Sequence, residues 1–407
     1  MTIALERQPA DESREVIKAF AILGGFFFVV AVGTYLYGLD TSTPFPRDGS
    51  TLVVGRDFLN FWMYGRATAL PDPSRWYDAA VYQRALAELL GPGYPGQNWS
   101  YPPTVMLIAA PFGRLGYLPA LLVWTVAGLA LFFAVIARRI ADRRAQIALL
   151  VSPAAIFCLI SGQSSFVTVA MLIGIFALLD RRPLIAGVLI GLMTLKPQLA
   201  LLLPVVLIAS GRWRVFAAAA VTTLALAALA AALFGTQAWT EFVTQGLPTQ
   251  NIVLADPEGI ATPYYPTMFM NLRGIGLGYG IAMAVQVCFA VAAVGAVAWV
   301  FRYRADADPR LLFALFVACS IAAVPYLLVY DTLALSFAAL ALLAGNALDT
   351  RGGWLARLVY WLPLLQIGLG NLHIPGPALI APLFAVYILQ MLKEAPVPAL
   401  QPVLHPG

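Results

Sequence analysis

The stretch RVFAAAAVTTLALAALAAALF, residues 214–234, decides what kind of protein this is. After Arg214 it carries no charge, and its polar side chains are Thr222 and Thr223 alone. As a helix it is long enough for the roughly 30 Å hydrocarbon core of a bilayer, which takes about 20 residues. The rest of the chain has the same character. Apolar residues make up 61% and charged residues 11% of the 407 positions, and mean hydropathy is +0.81. A soluble domain has about half and a quarter, so this chain lacks the polar surface to coat a water-soluble body. The sequence reads as an all-α, polytopic integral membrane protein. A disordered chain, a secreted disulfide scaffold and an ordinary soluble enzyme are excluded. Cys158, Cys288 and Cys319 lie inside apolar runs, one must stay unpaired, and their spacing suits neither a metal nor a redox pair. The net charge of +5 reads as cytoplasmic arginine facing anionic lipid, with no nucleic-acid partner.

Further apolar runs cover 17–38, 117–137, 145–160, 164–180, 183–195, 198–210, 279–301, 311–328, 332–347, 357–371 and 375–392, so about twelve transmembrane helices are expected. Several are short, which requires tilt, thinning or breaks at Pro and Gly. Residues 101–112, opened by Tyr101-Pro102-Pro103, read as a partial or interfacial helix. The first run follows Arg14 and Lys18 without a small-residue cleavage site before Asp40 and reads as a retained helix. Basic residues then follow every second junction: Arg138, Arg139, Arg143 and Arg144; Arg181 and Arg182; Arg212 and Arg214; Arg302, Arg304 and Arg310; Arg351 and Arg357; Lys393. The positive-inside rule places those junctions, and both termini (1–16 and 394–407), in the cytoplasm. One polytopic domain is expected over 1–407, with two long external loops, 39–100 and 235–278. The first has room for two amphipathic helices, about 57–70 and 77–90, around Pro71-Asp72-Pro73-Ser74. Both are rich in aromatics, among them Phe58, Phe61, Trp62, Tyr64, Trp76, Tyr77, Trp99, Tyr101, Tyr264 and Tyr265, a density that points to docking at the membrane interface.

This topology gathers the few polar groups near helix ends on the external face. Gln163, in Ser161-Gly162-Gln163-Ser164-Ser165, tips one hairpin, and Lys196-Pro197-Gln198 tips the next. Tyr330-Asp331 and Asn371-Leu372-His373 join later runs, and Arg56, Asp57 and Arg273 come from the external loops. Ionisable groups at membrane depth are costly and functional by default. Each also has a plainer reading. Asp57 is either a helix N-cap or a catalytic carboxylate. Lys196, the one lysine between Lys18 and Lys393, either snorkels or binds an anion. Asp331 is a cap or the partner of a cation, Gln163 a helix-tip hydrogen bonder, and Arg273 an interface anchor or an anion clamp. His373 has no carboxylate nearby in sequence and reads as incidental. A P-loop, an HExxH pair, Cys/His metal spacing and a GxSxG elbow are all absent. The one DxD-like pair, Asp306-Ala307-Asp308, falls on the cytoplasmic side, so no metal or cofactor is assigned.

The ordered set Gly55-Arg56-Asp57-Phe58, Phe61-Trp62, Tyr77, Tyr101-Pro102-Pro103, Gly162-Gln163-Ser164, Gly187 through Gly191 to Lys196-Pro197, Gly211-Arg212-Trp213-Arg214 and Tyr330-Asp331 resembles the integral-membrane glycosyltransferases of family 87, over roughly 50–345. The resemblance implies a GT-C architecture, a polyprenyl-phosphate-linked sugar donor, typically mannose, and transfer on the non-cytoplasmic face. It also places the catalytic carboxylate in the first external loop, here Asp57. Some members carry a histidine near the late aromatic-Asp connection; here 325–331 reads PYLLVYD, without one. The expected reaction is an inverting displacement with Asp57 as base and Lys196 and Arg273 stabilising the leaving phosphate. Arg56, Gln163, Tyr330 and Asp331 complete the substrate-binding set, with loop aromatics on the sugar. The acceptor is a glycolipid, a polysaccharide or a protein. High Ala, Arg, Gly and Pro usage points to a GC-rich bacterial genome and hence to the plasma membrane. Two other readings are a transporter or flippase of lipid-linked solutes and a non-catalytic assembly subunit.

Overall fold

The computed structural model describes residues 10–255 and 262–394; the expected tails fall largely outside these. Among the described residues the chain is helical, and β-pairing is limited to isolated bridges, Asp40 with Arg47 and Arg47 with Val53. Five helices among the described residues are long and apolar enough to cross a membrane: Asp11–Tyr37, Tyr117–Ile136, Trp213–Phe234, Tyr279–Tyr303 and Gly376–Glu394. Arg143–Leu150 and Pro153–Ser161, bent by 46° at their junction, make a sixth if they act as one span. This is a membrane protein. The other expected spans are shorter apolar helices, Ser165–Leu178, Pro183–Leu195, Pro197–Ala209, Pro309–Ala323 and Val329–Ala344, together with Thr350–Asn371, which contains Pro363. Their lengths do not by themselves amount to twelve crossings. The breaks fall where proline cannot continue a helix, at Pro153, Pro183, Pro197 and Pro309, each in the first turn of the helix it begins. Ser152 and Asp308 complete two of these starts by accepting from the backbone N–H of Ala155 and Arg310.

Burial sorts the helices into two layers. Pro309–Ala323 and Leu333–Ala344 are covered on nearly every face and form the centre of the main apolar core. Asp11–Tyr37, Trp213–Phe234 and Tyr279–Tyr303 lie outside them and leave Phe26, Leu224 and Val291 exposed, the surface lipid would cover. Lipid is as apolar as these side chains, so close packing must hold the helices together. Gly187 and Gly191 show how. A Cβ on Gly187 would lie 2.7 Å from the Val215 carbonyl oxygen, and one on Gly191 would lie 2.5 Å from Thr222 Cβ. Helix Pro183–Leu192 therefore meets Trp213–Phe234 backbone to backbone.

The segment 39–100, expected as a long loop, is a folded body. The two helices expected there are Phe58–Ala67 and Ala79–Leu90, the second capped by Asp78 accepting from the Val81 N–H. Thr104–Gly113 is a helix of its own, separate from Tyr117–Ile136, and packs on Phe58–Ala67. Phe58, Phe61, Trp62, Tyr64, Trp76, Tyr77 and Trp99 are buried against one another, with the Tyr64 and Trp99 rings stacked 3.4 Å apart. These side chains form a second core, not the interfacial girdle their density implied, because a loop of this length with so many rings can bury them itself. The described residues between 235 and 278 are more regular than their weak periodicity indicates: Gln237–Glu241 and Leu247–Ala255 are joined by a π-helical turn, Phe242–Gly246, and Met268–Gly274 is a further helix. The basic junctions have partners of their own: Arg357 pairs with Glu12 at 3.3 Å, Arg212 with Asp180 at 3.0 Å, and Arg304 donates to the Lys393 carbonyl at 2.9 Å.

If backbone contact holds Pro183–Leu192 to Trp213–Phe234, leucine at Gly187 or Gly191 must push the helices apart. Overpacking of this kind costs about 1–3 kcal/mol. Each variant is expected to lower the thermal midpoint of detergent-purified protein, whereas Gly295→Leu, in open space, is expected to leave it in place.

Candidate active site

Asp57 reaches its position through a tight, strained turn. Gly55 and Arg56 both have positive φ, 79° and 34°, and Arg56 needs outside support in that conformation. Its guanidinium Nε donates to Asp48 Oδ2 at 2.7 Å, and its carbonyl accepts from Gln97 Nε2 at 3.0 Å. The Gly55 N–H donates to the Tyr35 hydroxyl at 3.1 Å, and Tyr117 donates to the Val54 carbonyl at 2.6 Å. Burial alone would raise the Asp48 carboxyl, but hydrogen bonds from Ser50 and Arg56 outweigh it and hold the group below the usual carboxylate range. Asp48 thus stays charged to anchor Arg56. Asp57 precedes helix Phe58–Ala67, yet its side chain makes no capping bond. Its carboxylate is turned to other partners.

Two donors meet it, both on Oδ2: Gln163 Nε2 at 3.0 Å and the Tyr330 hydroxyl at 2.8 Å. They arrive from positions 106 and 273 residues away in sequence. Gln163 follows Gly162, which ends helix Pro153–Ser161 in the left-handed region at φ 61°. A side chain there would meet Phe58 Cβ at 2.7 Å and the Gly55 carbonyl at 2.9 Å. Glycine at this position therefore lets the Gln163 turn close onto the Asp57 turn. Tyr330 sits in a short 3-10 turn, Val329–Thr332, at the head of helix Leu333–Ala344.

Beside Asp57 lies a buried ion pair. Lys196 Nζ is 2.5 Å from Asp331 Oδ1, and both side chains are 2% exposed. Ser165 Oγ donates to the same oxygen at 2.9 Å, and Asp331 Oδ2 accepts from the Leu328 N–H at 3.4 Å. The ammonium also stands 4.7 Å from the Tyr330 ring centroid, within cation–π range. Lys196 occupies the break between Met193–Leu195 and Pro197–Ala200, where a helix end faces the cluster. Tyr101 adds a phenol that feels the charges of Lys196, Asp57 and Asp331; burial is the largest influence and raises it above its ordinary value. Its backbone is held by the Tyr64 and Tyr77 hydroxyls, which donate to its carbonyl at 3.1 and 2.8 Å. Those buried rings shape the site without facing it.

Of the residues singled out from sequence, Asp57, Gln163, Lys196, Tyr330 and Asp331 come together. Arg56 points away, to Asp48. Arg273 donates to the Leu277 and Ala255 carbonyls, each at 2.8 Å, and contacts none of the cluster. His373 is exposed in a loop with φ 56°. Ser165 closes the stretch Ser161-Gly162-Gln163-Ser164-Ser165 and Tyr101 is among the loop aromatics expected on the sugar, but the sequence gives neither a place beside Asp57 and Asp331; nothing in the sequence marks Asp48. The described residues contain no group of three or more metal-ligating side chains. What the cluster offers is one half-buried carboxylate held on one side, with a charge-balanced pair at its flank. Such a carboxylate can accept a proton from a hydroxyl placed against its open side.

Breaking the ion pair from one side strands a charge in an apolar interior, at about 3–5 kcal/mol. Lys196→Met and Asp331→Asn are each expected to lower the thermal midpoint, and the double variant to lose clearly less than the sum. Additive losses would show that the pair is not coupled.

A model of glycosyltransferase family 87 matches residues 99–329. The match includes Gln163, Ser165 and Lys196, stops one residue short of Tyr330, and begins after Asp57. No curated protein and no solved structure matches the chain. The family match spans more than half of a polytopic, all-helical chain whose helix ends converge on a carboxylate: the chain belongs to glycosyltransferase family 87 and is a membrane glycosyltransferase.

Proposed function

We propose that the protein moves a hexose from a polyprenyl-phosphate donor to a hydroxyl of a glycolipid, polysaccharide or protein acceptor, with inversion and without a divalent metal. The observation that carries this reading is the open oxygen of Asp57, next to a buried lysine at the end of the helix bundle. In the proposed reaction the acceptor hydroxyl attacks the anomeric carbon and gives its proton to Asp57. The bond from that carbon to the phosphate oxygen breaks, and polyprenyl phosphate leaves with the electron pair. The leaving phosphate gains negative charge as the bond breaks, and a fixed cation in a dry site stabilises it. Lys196 is the proposed cation. Arg273 and Arg56, engaged elsewhere, are proposed to border the donor as it docks.

A lipid-borne donor suits a chain that is mostly membrane-embedded. The tail can lie in the apolar layer between helices while the sugar reaches the helix ends. The positive-inside pattern supports an external site on the plasma membrane, and mannose is favoured by the family resemblance alone.

Protein reconstituted in lipid nanodiscs, with a panel of polyprenyl-phosphate sugars and extracted membrane lipids as acceptors, is expected to consume one donor. Asp57→Asn is expected to lose at least about 100-fold in rate, the lower end of general-base contributions. Full activity in that variant would refute the base assignment. Folded wild-type protein that consumes no donor with any acceptor class would refute the transfer reading itself.

A further inference from the structure

Asp57 does not share its two donors between its two oxygens. Gln163 Nε2 and the Tyr330 hydroxyl both bond Oδ2, and among the described residues no hydrogen bond reaches Oδ1. The two donors are also tied to each other. Gln163 and Ser165 lie on one segment, Tyr330 and Asp331 on another, and Ser165 Oγ donates to Asp331 Oδ1 at 2.9 Å. Lys196 closes the same junction, with its Nζ 2.5 Å from Asp331 Oδ1, 3.4 Å from Ser165 Oγ and 4.7 Å from the Tyr330 ring centroid. Tyr330 is 4% exposed, and Lys196 and Asp331 are 2% exposed, so water cannot readily replace any of these bonds.

We propose, on the transfer reading above, that Tyr330 and Gln163 are positioning residues that clamp Asp57 through Oδ2 and so make Oδ1 the atom that takes the acceptor proton, with the Lys196–Asp331–Ser165 junction holding both clamps in place. A carboxylate with one free torsion can present either oxygen to a hydroxyl in many orientations. Two donors from separate segments fix that torsion, and fixing the geometry of a reacting group is a large part of catalysis. In a low-dielectric setting hydrogen bonds in a chain strengthen one another. Tyr330 brings a hydroxyl donor to Asp57 from the segment 325–331. The proton goes from the acceptor hydroxyl to Oδ1, the new bond forms from that hydroxyl oxygen to the anomeric carbon, and the phosphate oxygen departs. Tyr330 keeps its own proton throughout.

The test is steady-state turnover of reconstituted Tyr330→Phe and Gln163→Met against wild type, singly and in the Asp57→Asn background. Phenylalanine keeps the ring under Lys196 and removes only the hydroxyl; a thermal midpoint measured alongside confirms the fold. Hydrogen bonds to charged groups are strong enough that each single variant should lose about ten- to a hundredfold in kcat, with the donor KM unchanged. Added to Asp57→Asn, either change is expected to cost nothing further, because the clamped group is already gone. A raised KM with kcat intact would make Tyr330 a substrate contact and overturn the positioning role. So would an undiminished kcat, or a full further loss in the Asp57→Asn background; both leave the transfer reading standing. Wild type that turns over no donor would overturn both.

Discussion

The site depends on one buried ion pair. Lys196 and Asp331 lie 135 residues apart in sequence and meet 2.5 Å apart with almost no exposure. Desolvating two charges is expensive, and only close geometry with further hydrogen bonds offsets it. Ser165 and the Leu328 N–H supply those bonds. The consequence is structural: helix starts at Ser165, Pro197 and Val329 are fixed at one point, and Gln163 and Tyr330, one or two residues from that point, are aimed at Asp57. A pair of this kind contributes little net stability. Its effect is to specify which helix ends meet.

The membrane explains why helix ends are where the chemistry gathers. Inside hydrocarbon each backbone polar group must be satisfied within its own helix, so irregular backbone is confined to the ends of spans or to protein-lined interiors. Proline and glycine breaks at Gly162, Lys196-Pro197 and Val324-Pro325 release side chains at that level, and the central helices bring them together. The segment 39–100 closes over them with an aromatic core of its own, which holds Tyr101 through the Tyr64 and Tyr77 hydroxyls and carries Asp57 on a strained turn. The result is a rigid frame around a half-buried carboxylate.

Much of this was legible in the sequence. Long apolar runs marked the helices, and the polar residues singled out near their ends included five that converge: Asp57, Gln163, Lys196, Tyr330 and Asp331. The partnerships were not legible, because they are set by packing between segments far apart in the chain. A lone lysine at a helix break reads alike whether it snorkels, binds phosphate or pairs with an aspartate. Arg56 and Arg273 illustrate the limit: both sit beside suggestive neighbours, and both turn to partners that sequence spacing does not reveal. The loop aromatics read as an interfacial belt because composition registers rings without registering what covers them. Helix count is similarly underdetermined, since a 14-residue apolar helix such as Ser165–Leu178 satisfies hydropathy without the length of a full straight span.

The central claim is that a single carboxylate with one open oxygen does the chemistry, since Asp331, the other acid in the cluster, is closed off by Lys196 and Ser165. One base acting on the acceptor gives a single displacement and inversion, whereas a carboxylate that attacks the sugar itself forms a covalent intermediate and gives retention. The most direct measurement is the anomeric configuration of the first-formed product, read by NMR against that of the donor. Inversion is the result expected of Asp57 acting alone; a retained configuration would contradict it.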